Sequence, residues 1–220
     1  MNGIVIIDKP QGWTSQDVTA RLRRVFQTRR IGHGGTLDPM ATGVLPVFVG
    51  RATRGVEFFE HAEKTYETVL RLGMTTDTED TSGTVLTQHE PNVTGEMLEK
   101  VLENFRGEIQ QIPPMFSALK RDGKTLYELA REGVKLDLEP RTVTISMLNV
   151  LSYEDEVLTI EVTCSKGTYI RVLAEDIGRA LGCGAHLVGL RLTKVGDLSI
   201  EDAVLLDDFR EMDAEGRRAA

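Results

Sequence analysis

The chain changes from a strand pattern to a helical pattern after residue 164, and this change constrains its fold more than any other feature. Residues 143 to 151 and 157 to 164 are predicted strands, and in the second one apolar and polar side chains alternate. After a short turn, apolar residues recur at helical spacing from Ile170 to Leu181. Strands and helices are interspersed along the chain without strict alternation, which predicts an α+β fold with a mixed sheet. A doubly wound parallel sheet is the alternative.

The composition of the 220 residues is typical of a soluble globular protein, with 40% apolar and 27% charged residues. This length admits one large domain or two lobes. The two cysteines and four histidines are scattered without metal-ligand spacing, so we expect neither a metal site nor a disulfide framework. The longest apolar runs are too short to span a membrane and no leader follows Met1, which predicts a cytoplasmic protein.

The charge is unevenly distributed along the chain. The net charge is −8, which argues against a nucleic-acid partner, but a net −5 of it lies in residues 197 to 220. Residues 21 to 30 carry five arginines and no acid, and Arg51 and Arg54 follow. A basic face that binds nucleic acid is one interpretation, and a solvated arginine face, which is the commoner meaning of such a run, is the other.

Residues 14 to 46 predict a helix followed by a tight loop. Thr14 and Asp17 fit an N-terminal capping box, and apolar residues then recur at helical spacing as far as Phe26. Residues 32 to 46 are rich in Gly, Thr and Pro, which indicates an irregular loop rather than a regular element. Such a loop is the part of the chain where we expect chemistry.

Two polar residues of this loop have more than one interpretation. Asp38 precedes Pro39, a sequence that is common at turns, so one interpretation is a turn former. The other interpretation is a catalytic carboxylate. His33 has no partner at metal-ligand spacing and is therefore interpreted as a hydrogen-bonding or stacking residue. The glycines do not form a phosphate loop, because no Gly-Lys-Ser/Thr ending follows them.

Several ordered motifs carry a resemblance to a known family. Residues 32 to 46, GHGGTLDPMATGVLP, resemble the catalytic motif of the TruB family, bacterial pseudouridine synthases that act on tRNA. Similar motifs follow the same order from about residue 2 to about residue 205: DKP at 8 to 10, KTYE at 64 to 67, LG at 72 to 73, TDT at 76 to 78, IPPMFSALK at 112 to 120, LYE at 126 to 128, AREG at 130 to 133, CSKGTYIR at 164 to 171 and LGCGAHL at 181 to 187. A chance match of so many ordered motifs is improbable.

The resemblance implies a domain organisation. It predicts a catalytic domain over residues 1 to 205, with a mixed, largely antiparallel sheet, flanking helices and a central RNA-binding cleft. An insertion that grips RNA is expected around 111 to 142, and its first ten residues, apolar with two prolines, predict a protruding loop. Residues 206 to 220 are interpreted as an acidic polar tail, and the C-terminal RNA-binding domain usual in the family is predicted to be absent from this chain.

The resemblance also assigns catalytic roles. Asp38 would be the nucleophile that breaks the bond between uracil and ribose, so that the freed base can rotate and rejoin through carbon 5. Arg171 would pair with Asp38, because a guanidinium favours the charged carboxylate and fixes its orientation. Tyr66 would pack against the target base, and its hydroxyl could handle the proton lost from carbon 5.

The remaining predicted contacts are to the substrate. Tyr169 and Leu190 would line the same pocket as Tyr66, and His33 would contact the RNA near the position that the flipped base vacates. Leu192 stands where the family commonly has arginine, which leaves a second-arginine contact open. Predicted phosphate contacts are Lys9, Arg29, Arg30, Lys64, Lys120, Lys124 and Lys166.

The sequence therefore predicts an isomerase that converts uridine at position 55 in the T loop of tRNA to pseudouridine. It is expected to bind the T arm as a monomer, with no cofactor, metal, membrane or obligate protein partner. Two alternatives stay open: a tRNA-binding folding chaperone with incidental catalysis, and a subunit of a guide-RNA-dependent pseudouridine synthase.

Overall fold

The computed structural model describes residues 1–121, 123–134 and 136–211. The strands are β1 (Gly3–Lys9), β2 (Ile31–His33), β3 (Thr42–Val49), β4 (Lys64–Leu72), β5 (Met74–Thr76), β6 (Val85–Gln88), β7 (Gly107–Gln111), β8 (Lys120–Arg121), β9 (Lys124–Thr125), β10 (Arg141–Glu154), β11 (Val157–Cys164), β12 (Ala185–Val195), β13 (Leu198–Ser199) and β14 (Val204–Leu205). The helices are α1 (Ser15–Phe26), α2 (Val56–Glu60), α3 (Gly95–Glu103), α4 (Leu126–Arg131), α5 (Ile170–Ala180) and α6 (Leu206–Glu211), with 3₁₀ turns at Gly50–Gly55 and Ile200–Asp202.

The chain divides into two compact units. The first comprises Met1–Thr68, Glu161–Lys166 and Gly189–Ala220, and the second comprises Val69–Ile160 and Gly167–Val188. Strand order in the first unit is β14-β1-β3-β12-β4-β11, in which β1 pairs with β3 antiparallel and β12 pairs with β3 parallel. Its sheet is therefore mixed, as predicted.

The core of the first unit lies between the sheet and α1. Thr14 caps α1 through the predicted capping box with Asp17. Val18 and Leu22 of α1 are buried in one apolar cluster with residues of β1, β2, β3 and α6. Burial of one helix face against a strand pair fixes the start of α1 beside the end of β1.

The second unit contains strands in the order β4-β11-β10-β7, with β10 antiparallel to β7. The hairpins β5–β6 and β8–β9 and the helices α3, α4 and α5 complete it. The predicted apolar face of α5 is confirmed, because Ile170, Leu173, Ala174 and Ile177 are buried. The antiparallel pairs in both units exclude the doubly wound alternative.

The predicted loop over residues 32 to 46 is wrong at both of its ends. The irregular part is only residues 34 to 41, because β2 continues to His33 and β3 begins at Thr42. Pro46 lies inside β3, and its carbonyl accepts a hydrogen bond from Gly34 just beyond the end of β2. In a strand, the N–H of a residue points to the same side as its carbonyl. On this side β2 has already ended, so strand pairing does not need the N–H that proline lacks.

The structure also describes parts of the predicted protruding loop and of the predicted polar tail. The segment 111 to 120 contains the predicted loop, although Pro113, Pro114 and Ser117 are buried in it rather than protruding. In the predicted polar tail, Leu206 and Phe209 of α6 are buried in the core of the first unit, and residues 212 to 220 lie outside the described residues. Within the described ranges, none of the helices has the length and apolar content of a membrane span.

Candidate active site

Asp38 lies on the eight-residue loop that joins β2 to β3 in the first unit. Gly34 begins the loop by donating its N–H to the Pro46 carbonyl at 2.9 Å, and Ala41 ends it by donating to the Asp38 carbonyl at 3.0 Å. Gly43 follows with a φ of +107°, and a β-carbon there would lie 2.0 Å from the Leu192 carbonyl oxygen. Only glycine can therefore occupy this position, where β3 meets β12.

The backbone on both sides of Asp38 is held by the segment that joins β1 to α1. The N–H of Leu37 donates to Ser15 Oγ at 3.0 Å. The carbonyl of Pro39 accepts from the N–H of Gly12 at 2.7 Å. The two residues adjacent to Asp38 are thus tied to a neighbouring segment, which restricts the position of the carboxylate.

The side chain of Lys9 makes a third contact between the two segments. Its position differs from the one expected of a residue that contacts an RNA phosphate. Its side chain is fully buried, and its ammonium donates to the carbonyls of Trp13 at 2.6 Å, Pro10 at 3.0 Å and Pro39 at 3.5 Å. Burial lowers the pKa of Lys9 to about 8, against the opposing charges of Asp38 and Asp17, so it is mostly protonated at neutral pH. Because the ammonium is buried and bound to carbonyls, it is not placed to contact an RNA phosphate.

Tyr66 lies on β4 in the first unit, beside the Asp38 loop. Tyr66 and Lys64 line a small cleft together with Gly35, Thr36 and Leu37. Burial raises the pKa of Tyr66, and the nearby Cys164 and Asp38 add to this effect. The hydroxyl therefore stays protonated at neutral pH, and a neutral phenol is a poor proton acceptor.

His33 is half-buried at the end of β2. Its Nε2 lies 3.4 Å from Gln16 Nε2, and Thr19 donates to Gln16 Oε1 at 3.2 Å. Burial lowers the pKa of His33, so its ring is neutral at neutral pH. A neutral ring suits stacking against a base. Leu190, on β12, is half-exposed.

Arg171 lies on the first turn of α5 in the second unit and is buried. Its guanidinium donates to the carbonyls of Phe116 at 2.9 Å and Thr78 at 3.3 Å, and its Nε lies 3.9 Å from Asp80 Oδ2. Asp80 is itself fixed by the N–H of Ser82 at 2.8 Å. These contacts orient the guanidinium. Its predicted pairing with Asp38 stays a prediction.

Tyr169 precedes α5 and is held by a residue that the sequence did not single out. Its N–H donates to Gln111 Oε1 at 2.8 Å, and its carbonyl accepts from Gln111 Nε2 at 3.0 Å. Gln111 is buried at the end of β7. Ser15 was missed in the same way, because a side chain that holds distant backbone leaves no signal in periodicity or motif.

Glu79 is a further residue of the second unit that the sequence did not reveal. It follows Thr78 in the turn that contacts Arg171, and its φ is +65°. Burial raises the pKa of Glu79 to about 7, the charge of Glu175 adds to this, and Arg171 opposes it. The charge of this carboxyl near Arg171 therefore changes around neutral pH.

The other predicted phosphate contacts lie at or near the surface. Exposed side chains are those of Arg29, Arg30, Lys120, Lys124 and Lys166, whereas Lys64 is half-buried. Lys124 is paired with both carboxylate oxygens of Glu132 at 2.9 Å. An exposed ion pair of this kind is weak, so it does not prevent Lys124 from contacting a phosphate.

Comparison with known families supports the resemblance seen in the sequence. Residues 23–170 match the family model described as TruB family pseudouridylate synthase, N terminal domain. The chain belongs to the TruB family of pseudouridylate synthases. Residues 171–218 match a second family model, described as tRNA pseudouridylate synthase B C-terminal domain.

Relatives of this TruB-family chain cover nearly all of it. It is 50% identical to tRNA pseudouridine synthase B of Dechloromonas aromatica (strain RCB), over 99% of this chain and 73% of that protein. It is 51% identical to tRNA pseudouridine synthase B of Azoarcus sp. (strain BH72), over 94% of this chain and 69% of that protein.

Solved structures resemble this TruB-family chain as well. A chain in the crystal structure of a Cbf5-Nop10-Gar1 complex matches with a TM-score of 0.75 and 32% identity, over 95% of this chain and 54% of that chain. A chain of an H/ACA RNP bound to a substrate RNA containing 2′-deoxyuridine matches with a TM-score of 0.72 and 31% identity, over 95% and 52%. The TruB-family chain therefore spans about half the length of these structural relatives.

Proposed function

We propose that the protein converts uridine to pseudouridine in the T loop of tRNA, at position 55. The observation that carries this proposal is the loop of Asp38, whose neighbouring backbone groups are bound by Ser15 and Gly12 in a chain of the TruB family. A carboxylate with a restricted position is what a nucleophile requires, since a small misplacement costs much of the rate.

The reaction is an isomerisation in which Asp38 acts as the nucleophile. The Asp38 carboxylate forms a bond to C1′ of ribose as the bond between C1′ and N1 of uracil breaks, the base rotates, and a bond between C5 and C1′ forms as the bond from C1′ to Asp38 breaks. C5 then loses its proton and N1 gains one, so no cofactor is required. The uridine must first leave its stack, at a cost of about a few kcal/mol.

The surrounding residues have supporting roles in this proposal. Tyr66 packs against the base, and the raised pKa of its buried hydroxyl argues against its taking the proton from C5. Arg171 orients Asp38, Tyr169 and Leu190 line the pocket, and His33 stacks in the vacated position. These roles follow from the resemblance.

The proposal is tested by incubating unmodified tRNA transcript with the protein and mapping pseudouridine by chemical labelling and reverse-transcription stops. We expect one product site, at position 55, with the unsubstituted protein and with Asp197→Asn, a control at an exposed carboxylate. We expect no product with Asp38→Asn. Equal product from Asp38→Asn and Asp197→Asn, or no product from the unsubstituted protein, would overturn the proposal.

A guide-RNA-dependent activity is the second candidate, favoured by the similarity to the Cbf5-containing complex. The same assay separates the two candidates, because conversion of free tRNA by the isolated protein excludes the need for a guide or a protein partner. The chaperone alternative, in which catalysis is incidental, predicts that Asp38→Asn accelerates tRNA folding as well as the unsubstituted protein does.

A further inference from the structure

Four arginines from two separate stretches of the sequence lie near the end of β3 in the first unit. Arg29 and Arg30 immediately precede β2, whereas Arg51 and Arg54 lie in the 3₁₀ turn after β3. The antiparallel register pairs the first residue of β2 with the last residue of β3. The N–H of Gly50 donates to the carbonyl of Arg30 at 2.8 Å and joins the two segments. We call these four residues the arginine patch.

The arginine patch is exposed and its charges are not neutralised locally. All four residues are exposed, and none forms an ion pair with the acidic side chains that the structure describes. By contrast, Arg71, Arg179 and Arg191 each contact a carboxylate. In a chain with a net charge of −8, four exposed arginines without such partners on two joined segments form a local basic surface.

The arginine patch lies far from Asp38. The Asp38 loop enters β3 at Thr42, and the arginine patch lies at the other end of β3, after Val49. The eight residues of β3 separate them, and at about 3.3 Å per residue this is roughly 25 Å. A ligand of the patch is therefore not the reacting uridine itself but a distant part of the same molecule or another molecule.

We propose that the arginine patch binds phosphates of the substrate RNA outside the target loop. This inference rests on the proposed function, which supplies RNA as the ligand. It adds Arg51 and Arg54 to the predicted contacts Arg29 and Arg30 and makes the four a single surface. Guanidinium groups bind phosphate through paired N–H donors, and several on one surface release counterions together.

The distance from Asp38 determines which measurements respond. Removal of phosphate-binding arginines weakens RNA binding and its salt dependence, whereas the chemical step on bound RNA is unaffected. Each neutralised phosphate accounts for about 0.7–0.9 of the slope of log K against log salt. Substitution of two arginines therefore reduces the slope by about 1.5, and substitution of all four by about 3.

The experiment compares Arg51→Gln/Arg54→Gln with the control Arg71→Gln/Arg179→Gln, which removes the same charge from arginines already paired with acids. Binding of unmodified tRNA transcript is measured from 50 to 200 mM KCl, with single-turnover rates at saturating protein. For the patch variant we expect roughly five- to tenfold weaker binding at the lowest salt, the reduced slope, and a rate within about twofold. The control keeps the slope.

Arg51→Lys/Arg54→Lys distinguishes a charge effect from a structural effect, because lysine keeps the charge and should keep the slope. The proposal would be overturned if the glutamine variant of the patch had the same salt slope and affinity as the control, and this result would indicate an acidic protein partner instead. It would also be overturned if the lysine and glutamine variants lost equal affinity. Failure of the proposed function is distinguishable, since it shows as absence of product from the unsubstituted protein whatever the binding data.

Discussion

The Asp38 loop and the arginine patch lie at opposite ends of strand β3, and their polar groups differ in burial and hydrogen bonding. Around Asp38, the backbone groups of Leu37 and Pro39 are bound at 3.0 and 2.7 Å, and the nearby cation Lys9 is buried. At the patch, the guanidiniums are exposed.

This difference matches the two tasks that we propose. A nucleophile needs one position, which hydrogen bonds from a neighbouring segment to the backbone on both sides of it provide. Phosphate binding needs charge rather than one position, because counterion release depends on the number of phosphates neutralised. Substitutions at the loop should therefore change rates or stability, and substitutions at the patch should change affinity.

The largest expected effect is on the rate of Asp38→Asn. The substitution keeps the size of the side chain and removes the nucleophile, so we expect the single-turnover rate to fall by at least about 10³-fold. The dissociation constant for tRNA should change by less than about threefold, because the phosphate contacts remain. A parallel loss of binding would show that the loop also carries affinity and would break the comparison.

Lys9→Met should mainly reduce stability. The substitution leaves the carbonyls of Pro10 and Trp13 without their buried donor, so we expect the free energy of unfolding to fall by about 2–4 kcal/mol at pH 7. Urea unfolding measures this change. The same substitution at exposed Lys120 is the control and should have little effect.

The pH dependence of this difference gives a further check. The pKa of Lys9 is lowered to about 8 from its ordinary 10.5, so the native state binds fewer protons than the unfolded chain between these values. The free energy of unfolding of the unsubstituted protein should therefore rise with pH across this window, relative to Lys9→Met. A constant difference from pH 7 to pH 10 would contradict the buried position of the ammonium.

Ser15→Ala should have an intermediate effect on the rate. The N–H of Leu37 loses its acceptor, a contribution of about 1 kcal/mol, and Asp38 becomes less restricted. We expect the single-turnover rate to fall about tenfold with tRNA affinity unchanged. Ser15→Thr retains the hydroxyl and should retain most of the rate. Equal rates for the alanine variant and the unsubstituted protein would show that Ser15 does not position Asp38.

The smallest expected effect is that of Arg51→Gln alone. Removal of one exposed phosphate-binding group should weaken tRNA binding by about two- to fourfold and reduce the salt slope by less than 1. The single-turnover rate should not change. If this rate fell as much as in Ser15→Ala, the separation between a positioned loop and an affinity surface would be incorrect.

Local patterns predicted much of the fold because they depend on neighbours in the chain. The capping box of Thr14 and Asp17, the alternation in β11 and the apolar face of α5 are each set by nearby residues, and the structure confirms them. The motif around Asp38 identified the family for the same reason, since it is a contiguous run of residues.

Only the tertiary structure decided what depends on residues distant in the chain. Pro46 belongs to a strand because β2 ends at His33 beside it, and Lys9 is buried because the carbonyls of Trp13 and Pro39 close around it. The arginine patch exists because the register of β2 and β3 brings Arg30 to Gly50. Periodicity shows which face of an element is apolar, but strand register and loop closure decide which side chains are buried or brought together.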